Sequence, residues 1–257
     1  MNKQEFSDKF DVLLNSYANR VGIGNQVSNA DIALNEYEKS VFLTLAQEDE
    51  VISLYTGRNA LGSSFEETEE FRRYLAPLVH TAVLYPIENS YHNKLGGDKS
   101  KFFTLPDGKD VMDESGNPYP EVWFITYEAI NGDGGMNCEG IYSKEVVPVT
   151  QDEFHRIKKN PFRGPSERRA LRLDLADGVV EIISTSTIIN YTVRYITKPK
   201  PIILVNLEED YGEGLTIEGE SKPFDPVCEL HEALHQRILE KAVLLAAQSR
   251  GITNKKE

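Results

Sequence analysis

The apolar residues of this chain change their spacing twice, and that change limits what it can fold into. Phe6, Phe10, Leu13 and Tyr17 recur three or four residues apart, the spacing of one helix face, and predict a first helix over about 3–18. From about 78 to 207 the pattern is different. LVHTAVLYPI, KFFTLP, VWFITYEAI, RALRLDL, VVEIIS, IINYTVRYI and IILVNL are short runs rich in β-branched and aromatic residues, as strands are. Tyr191, Val193 and Tyr195 alternate with Thr192 and Arg194, which predicts a strand buried on one face. Leu230, Leu234, Ile238, Ala242 and Leu245 then return to helical spacing. Helices at both ends around a block of strands make an α+β chain, not the alternating order of a parallel α/β enzyme. The expectation is a helical bundle built from both chain ends, packed with a central, mostly antiparallel β-sheet domain. Its parts are helices at 1–79, a β-rich part at 80–225, and a C-terminal helix at 226–257 that packs back on the first helices.

Local signals refine the boundaries. Asn35 with Glu38 reads as a capping box opening a helix that runs to Tyr55, with Gly57 just beyond. Its apolar face is Leu34, Tyr37, Val41, Leu45, Ile52 and Tyr55, and Glu38, Glu48, Asp49 and Glu50 take the other side. Ser64 and Glu67 predict a third helix ending near Leu75, and Thr150 with Glu153 a short one ending at Asn160-Pro161. Ala176-Asp177-Gly178 joins two strands as a hairpin turn. Gly22 and Gly24 lie in a loop, Val21 to Ala30, and Asn131 to Gly135 read as a turn without the ligand spacing of a calcium loop. Asp225 as N-cap and Pro226 at the first position start the final helix, which runs to about Ser249 and stops at Gly251.

Composition narrows the function. The net charge of −13 argues against a protein that coats DNA or RNA. No apolar run approaches the ~18 residues of a membrane span, and the N-terminus lacks the apolar core of a signal peptide. Cys138 and Cys228 are too few for a disulfide framework, so synthesis in a reducing cytoplasm is expected. One motif invites an enzyme. His231-Glu232-Ala233-Leu234-His235 fits HExxH, in which two histidines four apart bind zinc and the glutamate activates water. A catalytic site needs a third protein ligand, and only the end of the helix and a lysine-rich tail follow His235. On the helical wheel His231 and His235 flank the apolar stripe as half-buried border residues. Neither a nucleophile elbow nor a Walker loop is present, and His80, His92 and His155 are scattered. No catalytic, cofactor-binding or metal residue is therefore assigned, and no cofactor is expected. The alternative is an HExxH zinc metallopeptidase, and a free-standing binding module is the third class.

Longer stretches point elsewhere. NEYEKSVFLTLAQEDEVISLYTGR (35–58), FEETEEFRRYLAPLV (65–79), NPFRGP (160–165), YTVRYITKPKPIIL (191–204) and CELHEALHQRILEKAVLLAA (228–247) resemble, in the same order, blocks of neck and ring proteins from crAss-like phages. Those are similar to the adaptor (tail tubular) proteins of short-tailed phages. The resemblance implies a virion protein of the head–tail junction, made in the bacterial host cytoplasm, that forms a ring below the portal. The ring connects capsid to tail and encloses the DNA channel. Expected partners are neighbouring copies (twelve, if the ring follows common portal symmetry), the portal, tail or further ring proteins, and genomic DNA that passes without tight binding. No catalytic residue transfers, and no membrane contact is implied.

The charge pattern suits heterologous contacts. Arg156, Lys158, Lys159, Arg163, Arg168, Arg169 and Arg172 form a basic segment opposed by Glu167 alone. Glu208, Glu209, Asp210, Glu213, Glu218 and Glu220 form an acidic one between Asn206 and Ser221. A basic face of one subunit meeting an acidic face of the next closes a ring where the rotation permits. The acidic residues are equally suited to a channel wall that repels phosphate.

Overall fold

Two separate cores hold this chain, one built on helices and one on a sheet. The computed structural model describes residues 1–20, 33–59, 62–88, 95–96, 100–133 and 141–250. Its compact units are Met1–Leu78 with Pro199–Glu257, and Val79–Lys198. Among the described residues the elements run α1 (Lys3–Arg20), α2 (Glu36–Thr56), α3 (Glu69–Tyr74), β1 (Val79–Leu84), β2 (Lys101–Thr104), β3 (Phe124–Asp133) and β4 (Ile141–Pro148). There follow α4 (Gln151–Lys158), β5 (Arg169–Asp174), β6 (Val179–Ile183), β7 (Ile188–Ile196), α5 (Leu207–Tyr211) and α6 (Glu232–Ser249). The protein is α+β. The expected loop at 21–30 with Gly22 and Gly24, and also His92, Gly134, Gly135, Cys138 and Gly251, lie outside the described residues.

The strands form one sheet in the order β1-β7-β3-β4-β5-β6-β2. Every pairing is antiparallel except β4 with β5. A parallel pair needs a long crossover, and α4 lies within it. Tyr191, Val193 and Tyr195 of β7 are fully buried among Ala82, Phe103, Ile130 and Val180, as their alternation predicts. Phe154 fixes α4 through a separate cluster with Leu171, Leu173 and Ile183. In the β5–β6 hairpin Asp177 has φ 59° and Gly178 φ 70°, the left-handed pair that a two-residue hairpin turn requires.

β4 has no counterpart among the strands expected from sequence. The expected turn at Asn131 is also corrected. Asn131, Gly132 and Asp133 pair with Ser143, Tyr142 and Ile141 as the end of β3. Gly132 fits there because a Cβ would stand 2.5 Å from the Thr187 carbonyl oxygen.

The helical unit departs further from expectation. Asn35 and Glu38 do form the capping box of α2, and Gly57 ends it at φ 76°. The buried face of α2, however, is Lys39, Ser40, Leu43, Thr44, Ala46, Gln47, Glu50, Val51 and Leu54, while Leu45 of the predicted apolar face is 49% exposed. The cause is the segment 200–204. Ile202 N–H donates to Thr44 Oγ1 at 3.1 Å, Leu204 N–H to Ser40 Oγ at 3.1 Å, and Gln47 Nε2 to the Lys200 carbonyl at 2.8 Å. These hydroxyls and the amide satisfy backbone that a strand ladder would otherwise pair. The predicted strand at 202–207 is therefore an extended segment on a helix, with Ile202, Ile203 and Leu204 buried. Glu50, expected on the polar side, is buried and pairs with Arg237 at 2.9 Å and Lys241 at 3.3 Å of α6. Lys39 reaches Asp11 of α1 at 2.7 Å and Glu36 at 2.9 Å. Burial opposes the Lys39 charge, and the hydrogen bonds to Asp11 and Glu36 outweigh it and raise its pKa.

Two helix starts also move. Ser64 N–H donates to Glu67 Oε2 at 2.7 Å, half of the expected capping box. Glu67 N–H, however, donates to the Ser64 carbonyl at 3.1 Å rather than to its hydroxyl, so the pair closes a turn and α3 begins only at Glu69. The last helix begins at Glu232, not Pro226, capped by the His231 side chain on Ala233 N–H. The Asp225-Pro226 bond is cis, and Val227, Cys228 and Leu230 are buried ahead of the helix. The residues from 199 to the start of α6, grouped on sequence with the β-rich part, fall in the helical unit.

Candidate functional site

The HEALH segment is assembled by the start of α6. His231 is exposed, and its Nδ1 accepts from Ala233 N–H at 3.2 Å. His235 is not the border residue that the helical wheel suggests, for it is only 4% exposed. Its Nε2 lies 3.0 Å from the Leu230 carbonyl and its Nδ1 2.8 Å from the Met1 ammonium. A carbonyl must receive a proton and an ammonium must give one, so the ring is neutral with the proton on Nε2. Burial, then the adjacent Met1 charge, hold its pKa below the ordinary value. Neither nitrogen keeps a lone pair directed at open space. Among the described residues no three His, Cys, Asp or Glu side chains gather to hold a metal. Cys228 is buried, with its thiol pushed up to about 11 by burial. His80 is half-buried with its ring 6.0 Å from Tyr195, and His155 is exposed on α4.

The basic segment is mostly surface. Arg156, Lys158, Lys159, Arg163 and Arg168 are exposed and Arg169 partly so. Arg172 is the exception, 9% exposed inside the sheet. It donates to the Glu128 carboxylate, which also accepts from the Tyr191 hydroxyl. Burial works against the Arg172 charge, and Glu128 more than offsets it, so its pKa stays raised; burial and Glu128 both raise that of Tyr191. β5 is buried on both faces, and the pairing of Arg172 with Glu128 across the sheet takes it out of the surface set. The six acids of the acidic segment are all exposed, while Leu207 and Ile217 of the same segment are buried. Glu208, Glu209 and Asp210 project from α5, and Glu213, Glu218 and Glu220 from the glycine-rich turns after it.

A second acidic site is invisible as a run. In the sheet unit a groove of about 570 Å³ is lined by Pro106, Asp107, Glu121, Trp123, Asp174 and Asp177, among others. Its carboxylates come from three separate segments, so only the fold gathers them. The Asp-Gly turn at 107–108 and the one at 177–178 were the available signals, since turn acids at neighbouring strand ends share an edge of the sheet. Asp107 accepts from the N–H groups of Lys109 and Asp110 at 2.9 and 2.8 Å, which hold its carboxyl below the ordinary value.

Comparison with known proteins gives this geometry a context. The family model described as phage tail ring protein 3/4 matches residues 1–257. Ring protein 3 of Bacteroides phage crAss001 is 44% identical over 261 residues, covering 100% of both chains. Ring protein 4/5 of the same phage is 32% identical over 253 residues, 96% of this chain and 92% of that one.

Proposed function

The chain belongs to the phage tail ring protein 3/4 family, and from that premise we propose that it is a structural virion protein forming a ring at the head–tail junction below the portal. There it connects capsid to tail and encloses the DNA channel. The observation that carries the reading is 44% identity, along the whole chain, with a protein named as a ring protein. Its partners in this reading are neighbouring copies, twelve if portal symmetry extends to it, with the portal above and tail or further ring proteins below. Synthesis takes place in the host cytoplasm. No helix among the described residues is long and apolar enough to cross a membrane.

The surface chemistry supports a channel. DNA must slide during packaging and ejection, and sequence-independent binding grows steeply with the number of phosphates neutralised. A chain of net charge −13 has carboxylates to line a wall, and the exposed acids of 206–221 are assigned to it. The basic segment turns toward neighbouring subunits. The chain performs no catalysis in this reading, and the HEALH residues serve the fold: His231 caps α6 and His235 ties its first turn to Leu230 and Met1. Metal analysis of the untagged protein should give far less than one zinc per chain. Stoichiometric zinc lost on His235→Ala, together with peptidase activity, would reverse this. Duplex DNA should not bind at low salt, where attraction is strongest. Tight, steeply salt-dependent binding would contradict the sliding channel.

A further inference from the structure

Phe162 is 87% exposed, yet the turn that carries it is held firmly. Asn160 Oδ1 accepts from the N–H groups of Phe162 and Arg163 at 2.8 and 3.3 Å, and the Asn160 carbonyl accepts from Gly164 N–H at 2.7 Å. Arg169 Nη1 donates to the Phe162 carbonyl at 2.9 Å. A Cβ on Gly164 would stand 2.8 Å from the Asn160 carbonyl oxygen and 3.1 Å from those of Ile157 and Lys158. The chain therefore folds back on the end of α4 with no room for a side chain. Pro161 and Pro165 flank the turn, and buried Phe154 fixes α4 beneath it. The result is a phenyl ring held out on a rigid base, within a segment whose Arg156, Lys159, Arg163 and Arg168 are exposed. A preorganised projection loses little entropy on docking.

The groove beside Trp123 is its chemical complement within the same unit. Its backbone is fixed by Val122 N–H on the Pro106 carbonyl at 3.1 Å and Trp123 N–H on the Ile196 carbonyl at 2.9 Å. The Trp123 and Phe124 ring centroids lie 4.5 Å apart, tilted by 31°. Asp107, Glu121, Asp174 and Asp177 line the groove with them, Asp174 already pairing with Arg172 at 2.8 Å and the other three acids outnumbering that one cation. Projection and groove sit at opposite ends of one strand. Arg169, which holds the Phe162 carbonyl, is the first residue of β5, and Asp174, in the groove, is the last. Five steps at about 3.3 Å separate them by roughly 16 Å, so the turn does not fill its own groove.

We infer that the 160–165 turn of one copy docks into the Trp123 groove of the next, with Phe162 against the aromatic floor and Arg163 among the carboxylates. This rests on the ring reading above and deepens it. A projection at one end of a strand and its recess at the other give a heterologous contact, which repeats head to tail and closes into a ring where the rotation permits. An aromatic and an arginine are the residue types that anchor such interfaces. Opposite charge fixes the register.

Mixed-chain cross-linking of the full-length protein tests the contact, in a Cys138→Ser background. Buried Cys228, its thiol raised, stays unreactive. Under mild oxidation at high protein concentration, Pro161→Cys chains, which keep Phe162 and Arg163, mixed with Glu121→Cys chains should form disulfide dimers at least 10-fold faster than Pro161→Cys mixed with Thr81→Cys, an exposed position on β1. The advantage should shrink as salt rises. Equal rates for the two mixtures, or faster linkage of Pro161→Cys to itself, would overturn the contact. The ring reading would then still stand if the chain is found in purified virions. A fast mixed dimer from a chain absent from virions would uphold the contact and sink the ring.

Discussion

Strand β7 and helix α2 each contribute to the core of their own unit, and they are buried by different means. β7 hides Tyr191, Val193 and Tyr195 on one face and leaves Thr192 and Arg194 partly exposed, so chemistry and burial agree residue by residue. α2 hides Lys39, Ser40, Thr44, Gln47 and Glu50 and exposes Leu45. Its polar face is buried because each group there has a specific partner: the backbone of 200–204, Asp11 and Glu36, or Arg237 and Lys241. A sheet supplies its own backbone partners and can bury apolar side chains alone. A helix that receives an extended segment must provide donors and acceptors from its side chains.

The largest effect should come where the sheet unit breaks its own apolar rule. Among the described residues, Glu128→Ala leaves buried Arg172 with only the exposed Asp174 carboxylate, 2.8 Å from Nε, as its counter-charge. The expected loss is about 3–5 kcal/mol by urea unfolding. A loss under about 1 kcal/mol would mean that Arg172 finds water. Thr44→Val sharpens the contrast from the helical side. It is nearly isosteric and more apolar, so an ordinary apolar helix face would tolerate it or gain. Here it strands Ile202 N–H and should cost about 1–3 kcal/mol.

A smaller effect follows from His235. Its folded pKa lies below the ordinary value of 6.5, so the unfolded chain takes up the proton first as pH falls. Stability is therefore full above about pH 6.5 and is lost as the pH drops from there toward the folded pKa. The fall in Tm between about pH 7.5 and 5.5 should be smaller in His235→Gln than in the wild type, and an unchanged fall would remove His235 from the account. The smallest effect is expected at Leu45. Leu45→Lys should change stability by no more than about 0.5 kcal/mol, although the helical spacing of the apolar residues in α2 marks Leu45 as core.

The elements whose chemistry is local were legible. The α2 capping box, the Asp177-Gly178 hairpin and the alternation of β7 each depend on residues a few positions apart, and each is present. What could not be read depends on distant partners. Nothing near Ser40 or Thr44 announces the segment 200–204, more than 150 residues away. Asp225-Pro226 has the form of a helix start, yet buried Val227, Cys228 and Leu230 occupy the next residues and α6 waits for His231. The exposed basic residues of 156–169 were visible as a run, whereas Arg172 left that set through its pairing with Glu128 across the sheet. The Trp123 groove escaped because its carboxylates are dispersed along the chain and meet only when β2, β3 and the β5–β6 hairpin are assembled.

The central claim is that this chain is a ring of the virion neck, and imaging that neck tests it most directly. Averaged electron micrographs of purified particles, with the chain identified in the density, should show multiple copies closed into a ring between portal and tail, with the acids of 206–221 toward the channel. Particles that lack the chain altogether, or hold it in density away from the head–tail junction, would contradict the account.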